Sequence, residues 1–127
     1  MTDRHILVVD DDSSIREVAH LALELVAGWR VTTAGSGMEG WERATADRPD
    51  AMLLDVMMPG MDGPTSLRRF RDDPTTRDIP VIFLTAKHGE FEQQVPGDDL
   101  RTAGVIAKPF DPMTLADEVA SILGWHR

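Results

Sequence analysis

Cysteine is absent from this chain of 127 residues, which rules out disulfides, thiolate nucleophiles and cysteine-ligated metals. No apolar run is long enough to cross a membrane. Asp10, Asp11 and Asp12 arrive too early to leave room for a secretory leader, so a cytoplasmic location is expected. Positive charge is scarce: 13 Lys and Arg face 22 Asp and Glu, for a formal charge of -9 and a pI near 4.7. Nucleic-acid affinity rests on cations that neutralise phosphates, so direct nucleic-acid binding is disfavoured and a metal ion or cationic partner fits better. Linkers, repeats and low-complexity stretches are missing too. One domain over 1–127 with no effector domain is expected. The 28% charged and 42% apolar residues are the balance of a globular domain with a real core.

Two hydrophobic periods alternate along the chain. Ile6-Leu7-Val8-Val9 is a short β-rich run of the kind buried on both faces. Asp10 to Ser14 offer helix caps, and Ile15, Val18, Ala19, Ala22, Leu25 and Val26 recur at helical spacing until Gly28. Trp29 to Ala34 is a more polar strand suited to a sheet edge, and Met38 to about Arg48 a second helix that stops before Pro49. Asp50 to Asp55 reads as the third strand, followed by a helix with Pro64 in its first turn and Leu67 and Phe70 along it. Ile79 to Leu84 gives a fourth strand ending at Thr85, and Gly104 to Ala107 a fifth ending at Lys108-Pro109. A last helix runs from about Pro112 to Leu123, with Leu115, Val119 and Ile122 inward. Between the last two strands Pro96-Gly97 interrupts the pattern, so the fourth helix is expected to be irregular.

Alternating strands and helices imply a doubly wound parallel sheet, because parallel neighbours need a crossover connection. The flavodoxin-like (βα)5 order 2-1-3-4-5 puts its switch point between strands one and three. That order brings Asp10 and Asp11 beside Asp55 at the carboxyl ends, with Thr85 and Lys108 on the same rim. Taken alone, Asp55 reads equally well as a turn cap before Pro59-Gly60. Three clustered carboxylates repel unless a cation is shared. All-oxygen ligands with room for water suit Mg²⁺, with Mn²⁺ able to substitute, and no dense EF-hand loop points to Ca²⁺. Asp12 reads better as a helix cap than as a ligand. With a cation present, Asp55 becomes a nucleophile able to accept a phosphoryl group, assisted by the Lys108 charge and the Thr85 hydroxyl. The product is a labile acyl phosphate, which suits a signal.

The strings Val8-Val9-Asp10-Asp11, Leu54-Asp55-Val56-Met57-Met58-Pro59-Gly60-Met61-Asp62-Gly63, Leu84-Thr85-Ala86-Lys87 and Lys108-Pro109-Phe110 resemble the receiver domain of two-component response regulators. The resemblance spans nearly the whole chain. It implies that Asp55 is the phosphoacceptor, charged by a histidine kinase or a phosphotransfer protein. It further implies Mg²⁺ held by Asp11, Asp55 and the Met57 backbone carbonyl, with Asp10 acting through water. Thr85, the Ala86 amide and Lys108 would hold the phosphoryl oxygens, and the Lys108-Pro109 bond would be cis. The family couples its Thr to an aromatic on the fifth strand; Val105 stands there, and the chain has no Tyr. With Pro96-Gly97 in the usual output face, a different or weaker output is expected.

Two competing readings share some of these residues. Gly35-Ser36-Gly37-Met38-Glu39-Gly40 spells G-x-G-x-x-G after a strand, with an acid about twenty residues on, so a dinucleotide-binding, Rossmann-like module using Gly35, Gly37 and Gly40 is the alternative. It leaves Asp10, Asp11, Thr85 and Lys108 without a role. An aspartyl-phosphate hydrolase would want an acid two residues after its nucleophile, where Met57 stands, so steady turnover of outside substrates is not expected and the chain is not read as a conventional enzyme. His5, His20, His88 and His126 lack ligand spacing, Trp29, Trp41 and Trp125 read as boundary packing, and Arg68-Arg69-Arg71 as a solvated helix face. The ending Gly104 to Pro112 is similar to stand-alone receivers, which implies a relay, sink or binding switch acting on an unknown protein target as a monomer or weak dimer.

Overall fold

The computed structural model describes residues 4–86 and 102–126. Five parallel strands form one sheet: β1 (His5–Val9), β2 (Arg30–Ala34), β3 (Ala51–Asp55), β4 (Val81–Thr85) and β5 (Gly104–Ala107). Their order is β2-β1-β3-β4-β5, as the alternation implies. Four described helices accompany them: α1 (Ser13–Ala27), α2 (Gly37–Asp47), α3 (Gly63–Asp72) and α4 (Leu115–Leu123). The expected irregular helix between β4 and β5, with Pro96-Gly97, falls in 87–101, outside the described residues.

Because strand side chains alternate faces, each central strand feeds two cores. Ile6, Val8, Leu53, Ile82 and Leu84 pack with Ala19 and Leu23 of α1 and Leu115 and Val119 of α4. Leu7, Val9, Met52, Leu54 and Phe83 pack on the other face with Ala44, Leu67 and Phe70. All five residues of β1, β3 and β4 are buried, whereas Arg30 of the edge strand β2 is exposed.

Local chemistry sets the element ends. Asp12 caps α1 by accepting from the Ser14 N–H at 2.8 Å, Ser36 caps α2 through Glu39, and Asp62 caps α3 through Thr65. Gly28 ends α1 in the left-handed region at φ 74, where a Cβ would be strained. β4 begins at Val81, later than Ile79, since Pro80 has no N–H to donate to the ladder. The final helix likewise starts at Leu115 after a turn tied to the Asp111 carbonyl.

Only part of the apolar set on α1 faces the sheet. Ala19, Ala22 and Leu23 are buried, while Val18 is 40% and Leu25 75% exposed. Apolar residues cover a wide arc of this helix, so periodicity alone does not choose a face. The sheet takes the side where two alanines permit close approach, and it leaves Val18, Leu21 and Leu25 on the surface.

Candidate functional site

Register carries the acids to one rim. Val9 pairs with Leu54, Asp55 with Leu84, and Thr85 with Ala107, so β1, β3, β4 and β5 end at neighbouring heights. Asp10 extends β1 by one residue, its N–H donating to the Ala34 carbonyl at 3.1 Å. Lys108 extends β5 in the same way, its N–H donating to the Thr85 carbonyl at 2.9 Å. The Lys108-Pro109 peptide is cis, as the resemblance implies.

Ligand oxygens of Asp10, Asp11 and Asp55 all lie within 4.8 Å of one another. Asp10 and Asp55 are buried; Asp11 is exposed and gives the cluster its open side. Lys108 Nζ sits 2.9 Å from Asp10 Oδ2 and 2.9 Å from Asp55 Oδ1. Asp10 Oδ1 also accepts the Asp12 N–H at 2.9 Å, so Asp10 is held on both oxygens. The Met57 N–H lies 3.4 Å from Asp55 Oδ1, and Thr85 closes β4 as a buried residue with Ala86 exposed beyond it.

One ammonium does not neutralise this cluster. Burial pushes the Asp55 carboxyl up, the hydrogen bond from Lys108 opposes it, and the Asp10 charge pushes it up again, leaving Asp55 at about 6 against an ordinary 3.8. Burial works to lower the Lys108 ammonium, but its hydrogen bonds and charge attraction to Asp10 and Asp55 outweigh it, so the group is raised and stays protonated. Unrelieved negative charge, a donor set of oxygens only and an open side fit a hard divalent cation. Asp10, Asp11 and Asp55 could hold one.

Two further residues shape the rim: Gly63, which closes the string around Asp55, and Arg16, which no motif marks. A Cβ on Gly63 would lie 2.6 Å from the Asp55 carbonyl oxygen, so only glycine lets α3 start against the strand that carries Asp55. Arg16 Nη1 donates to the Asp10 carbonyl at 2.7 Å. Bonds to backbone leave no motif, and only the six-residue offset from Asp10 could have hinted at this one.

The competing features fall into packing roles. A Cβ on Gly40 would lie 2.8 Å from Val9 Cγ2, and one on Gly37 would collide with Ser66 Oγ, so these glycines close α2 onto the sheet and onto α3. Asp12 caps α1. His5 Nε2 lies 3.1 Å from Thr32 Oγ1 and His20 Nε2 2.8 Å from Glu24 Oε2, while His88 lies outside the described residues. Trp29 and Trp125 stack edge-on at 5.4 Å, and Trp41 donates to Asp73. The arginine group is not one solvated face: Arg69 lies over the Trp41 ring, and Arg71 donates to the Arg77 and Ile79 carbonyls. Val105, at the position of the family's aromatic, is half-buried against the core that holds Phe83.

The sequence matches the family of the response regulator receiver domain over residues 6–120. The transcriptional regulatory protein CseB of Streptomyces coelicolor is 42% identical over 119 residues, covering 94% of this chain and 49% of CseB. The phosphate regulon transcriptional regulatory protein PhoB of Pseudomonas aeruginosa is 37% identical over 123 residues, covering 97% of this chain and 53% of PhoB. The chain thus spans about half the length of the curated relatives it matches. Chemotaxis protein CheY4 of Vibrio cholerae superposes with a TM-score of 0.85 at 31% identity, over 95% of this chain and 99% of that structure. A match across most of the sequence, a sheet of the same order and acids converging on one lysine agree, and the chain belongs to the response regulator receiver domain family.

Proposed function

We propose that the chain is a phosphoacceptor switch in which Asp55 takes a phosphoryl group from a phosphohistidine on a histidine kinase or phosphotransfer protein. An Asp55 carboxylate oxygen attacks phosphorus, the P–N bond breaks, and its electron pair stays on the imidazole. The observation that carries this reading is Lys108 Nζ at 2.9 Å from both Asp10 and Asp55 within a three-carboxylate cluster. Fixed positive charge at Lys108 supports this reading, since it would offset negative charge developing on a phosphoryl oxygen. Lys108, the Thr85 hydroxyl and the Ala86 amide would hold the phosphoryl oxygens. Asp11, Asp55 and the Met57 carbonyl would hold Mg²⁺, or Mn²⁺ in its place, with Asp10 reaching it through water. A bound divalent cation supplies charge neutralisation for the transferring oxygens. Water attacking the acyl phosphate resets the switch, so the chain acts on itself and is not a conventional turnover enzyme.

A protein donor must cover the rim to deliver its phosphoryl group. Along α1, Val18, Leu21 and Leu25 with Pro112 and Met113 line an open apolar groove of about 450 Å³. Leu25 at 75% and Met113 at 68% exposure are costly surface unless a partner covers them. We infer that a helix of the phosphohistidine donor covers this groove. Output runs by protein–protein contact to a downstream target, and a cytoplasmic, monomeric or weakly dimeric receiver is the form we favour. The charge of -9 supports a route without direct nucleic-acid contact, and no described helix is long and apolar enough to cross a membrane.

Incubation with acetyl phosphate and Mg²⁺ followed by intact mass tests the reading. One labile phosphate is expected on the native chain and none on Asp55→Asn; equal labelling of the two would defeat it.

A further inference from the structure

Asp10 lies one residue past the end of β1, where ladder pairing gives out. Its N–H is still tied to Ala34, and its carbonyl accepts from Arg16 Nη1 at 2.7 Å. That carbonyl belongs to the peptide joining Asp10 to Asp11. One guanidinium therefore fixes the plane from which two of the three clustered carboxylates project. The β2–α2 turn leaves space for it: a Cβ on Gly35 would lie 3.2 Å from Arg16 Nη1, and the Gly35 N–H is itself held by Glu39 Oε1 at 2.6 Å. Arg16 is half-buried between this turn and the rim, so its reach is constrained.

We propose that Arg16 is a positioning residue for the cation site, holding the Asp10-Asp11 peptide so that both carboxylates face Asp55. The inference rests on the reading of Asp10, Asp11 and Asp55 as a cation site. Groups that orient metal-binding residues without touching the metal typically change affinity by about 10–100-fold when removed. Charge alone predicts the opposite sign. Arg16 is a cation near a cation site, so deleting it without moving the acids would tighten metal binding.

The test is Mn²⁺ titration of the native chain, Arg16→Ala and Arg16→Met, with free Mn²⁺ read by electron paramagnetic resonance and folding checked by circular dichroism. Arg16→Met keeps the apolar stem and removes the donor, so it carries the test if the alanine variant does not fold. Both variants are expected to bind Mn²⁺ at least about 10-fold more weakly while remaining folded. Unchanged or tighter binding in either folded variant would overturn the positioning role. Failure of the underlying site looks different: the native chain would not bind Mn²⁺, or Asp11→Asn would bind it as well as the native chain. Either result would remove the site and this role with it.

Discussion

Replacing Asp55 by Asn should stabilise the fold at neutral pH, and the structure sets the size. Asp55 titrates near 6 in the folded chain against an ordinary 3.8, so between those pH values the native state keeps a proton that the unfolded chain has released. Stability contributed by this group is therefore lost as pH rises from about 4 to about 6. At roughly 1.4 kcal/mol per unit, the shift amounts to about 3 kcal/mol above pH 6. Asn forgoes part of the Lys108 attraction, which opposes the shift, so a net gain of about 1–3 kcal/mol is expected at pH 8 in the absence of divalent cations. Urea unfolding followed by tryptophan fluorescence at pH 8, 6 and 4.5 measures it. Because every other carboxyl is common to both proteins, the difference reports Asp55 together with its coupling to Asp10. The advantage of Asp55→Asn should shrink steadily toward pH 4.5, and saturating Mg²⁺ should shrink it at pH 8. An Asn variant no more stable than the native chain at pH 8, or an advantage that does not change with pH, would refute the electrostatic account.

Lys108→Met leaves the buried Asp10 facing Asp55 without its ammonium, and urea unfolding should register a loss of about 3–5 kcal/mol, partly restored by Mg²⁺. Gly63→Ala forces a methyl to within 2.6 Å of the Asp55 carbonyl; a loss of about 1–3 kcal/mol in the same assay and slower acetyl phosphate labelling are expected. Leu25→Gln changes a side chain that is 75% exposed, so stability should move by less than about 0.5 kcal/mol. In radiolabel transfer assays it should slow transfer from a phosphorylated phosphotransfer protein more than labelling by acetyl phosphate.

The sheet order and the rim were legible because both are written in strong local signals. Apolar runs that stop at Asp10, Asp55, Thr85 and Lys108 mark strand ends, and a parallel sheet lines those ends up. The face of α1 was not legible, since Val18, Ala19, Leu21, Ala22, Leu23, Leu25 and Val26 make an arc wider than the sheet can cover. The choice among them falls to tertiary contact with the strands, which no window of sequence contains. Gly37 and Gly40 spell a nucleotide loop yet serve close packing, because the need for a missing Cβ looks the same whether a phosphate or Val9 stands opposite. Arg16 was invisible for the reason that its partner is a carbonyl, a group every residue has.

In the proposed switch, Asp55 carries the phosphoryl group only when a divalent cation joins the acids around it. Peptide mapping of the chain after acetyl phosphate treatment, with Mg²⁺ and with excess chelator, tests this most directly. A phosphate is expected on the peptide containing Asp55 in Mg²⁺ and none in chelator. A label on another peptide, or one formed equally well in chelator, would contradict it.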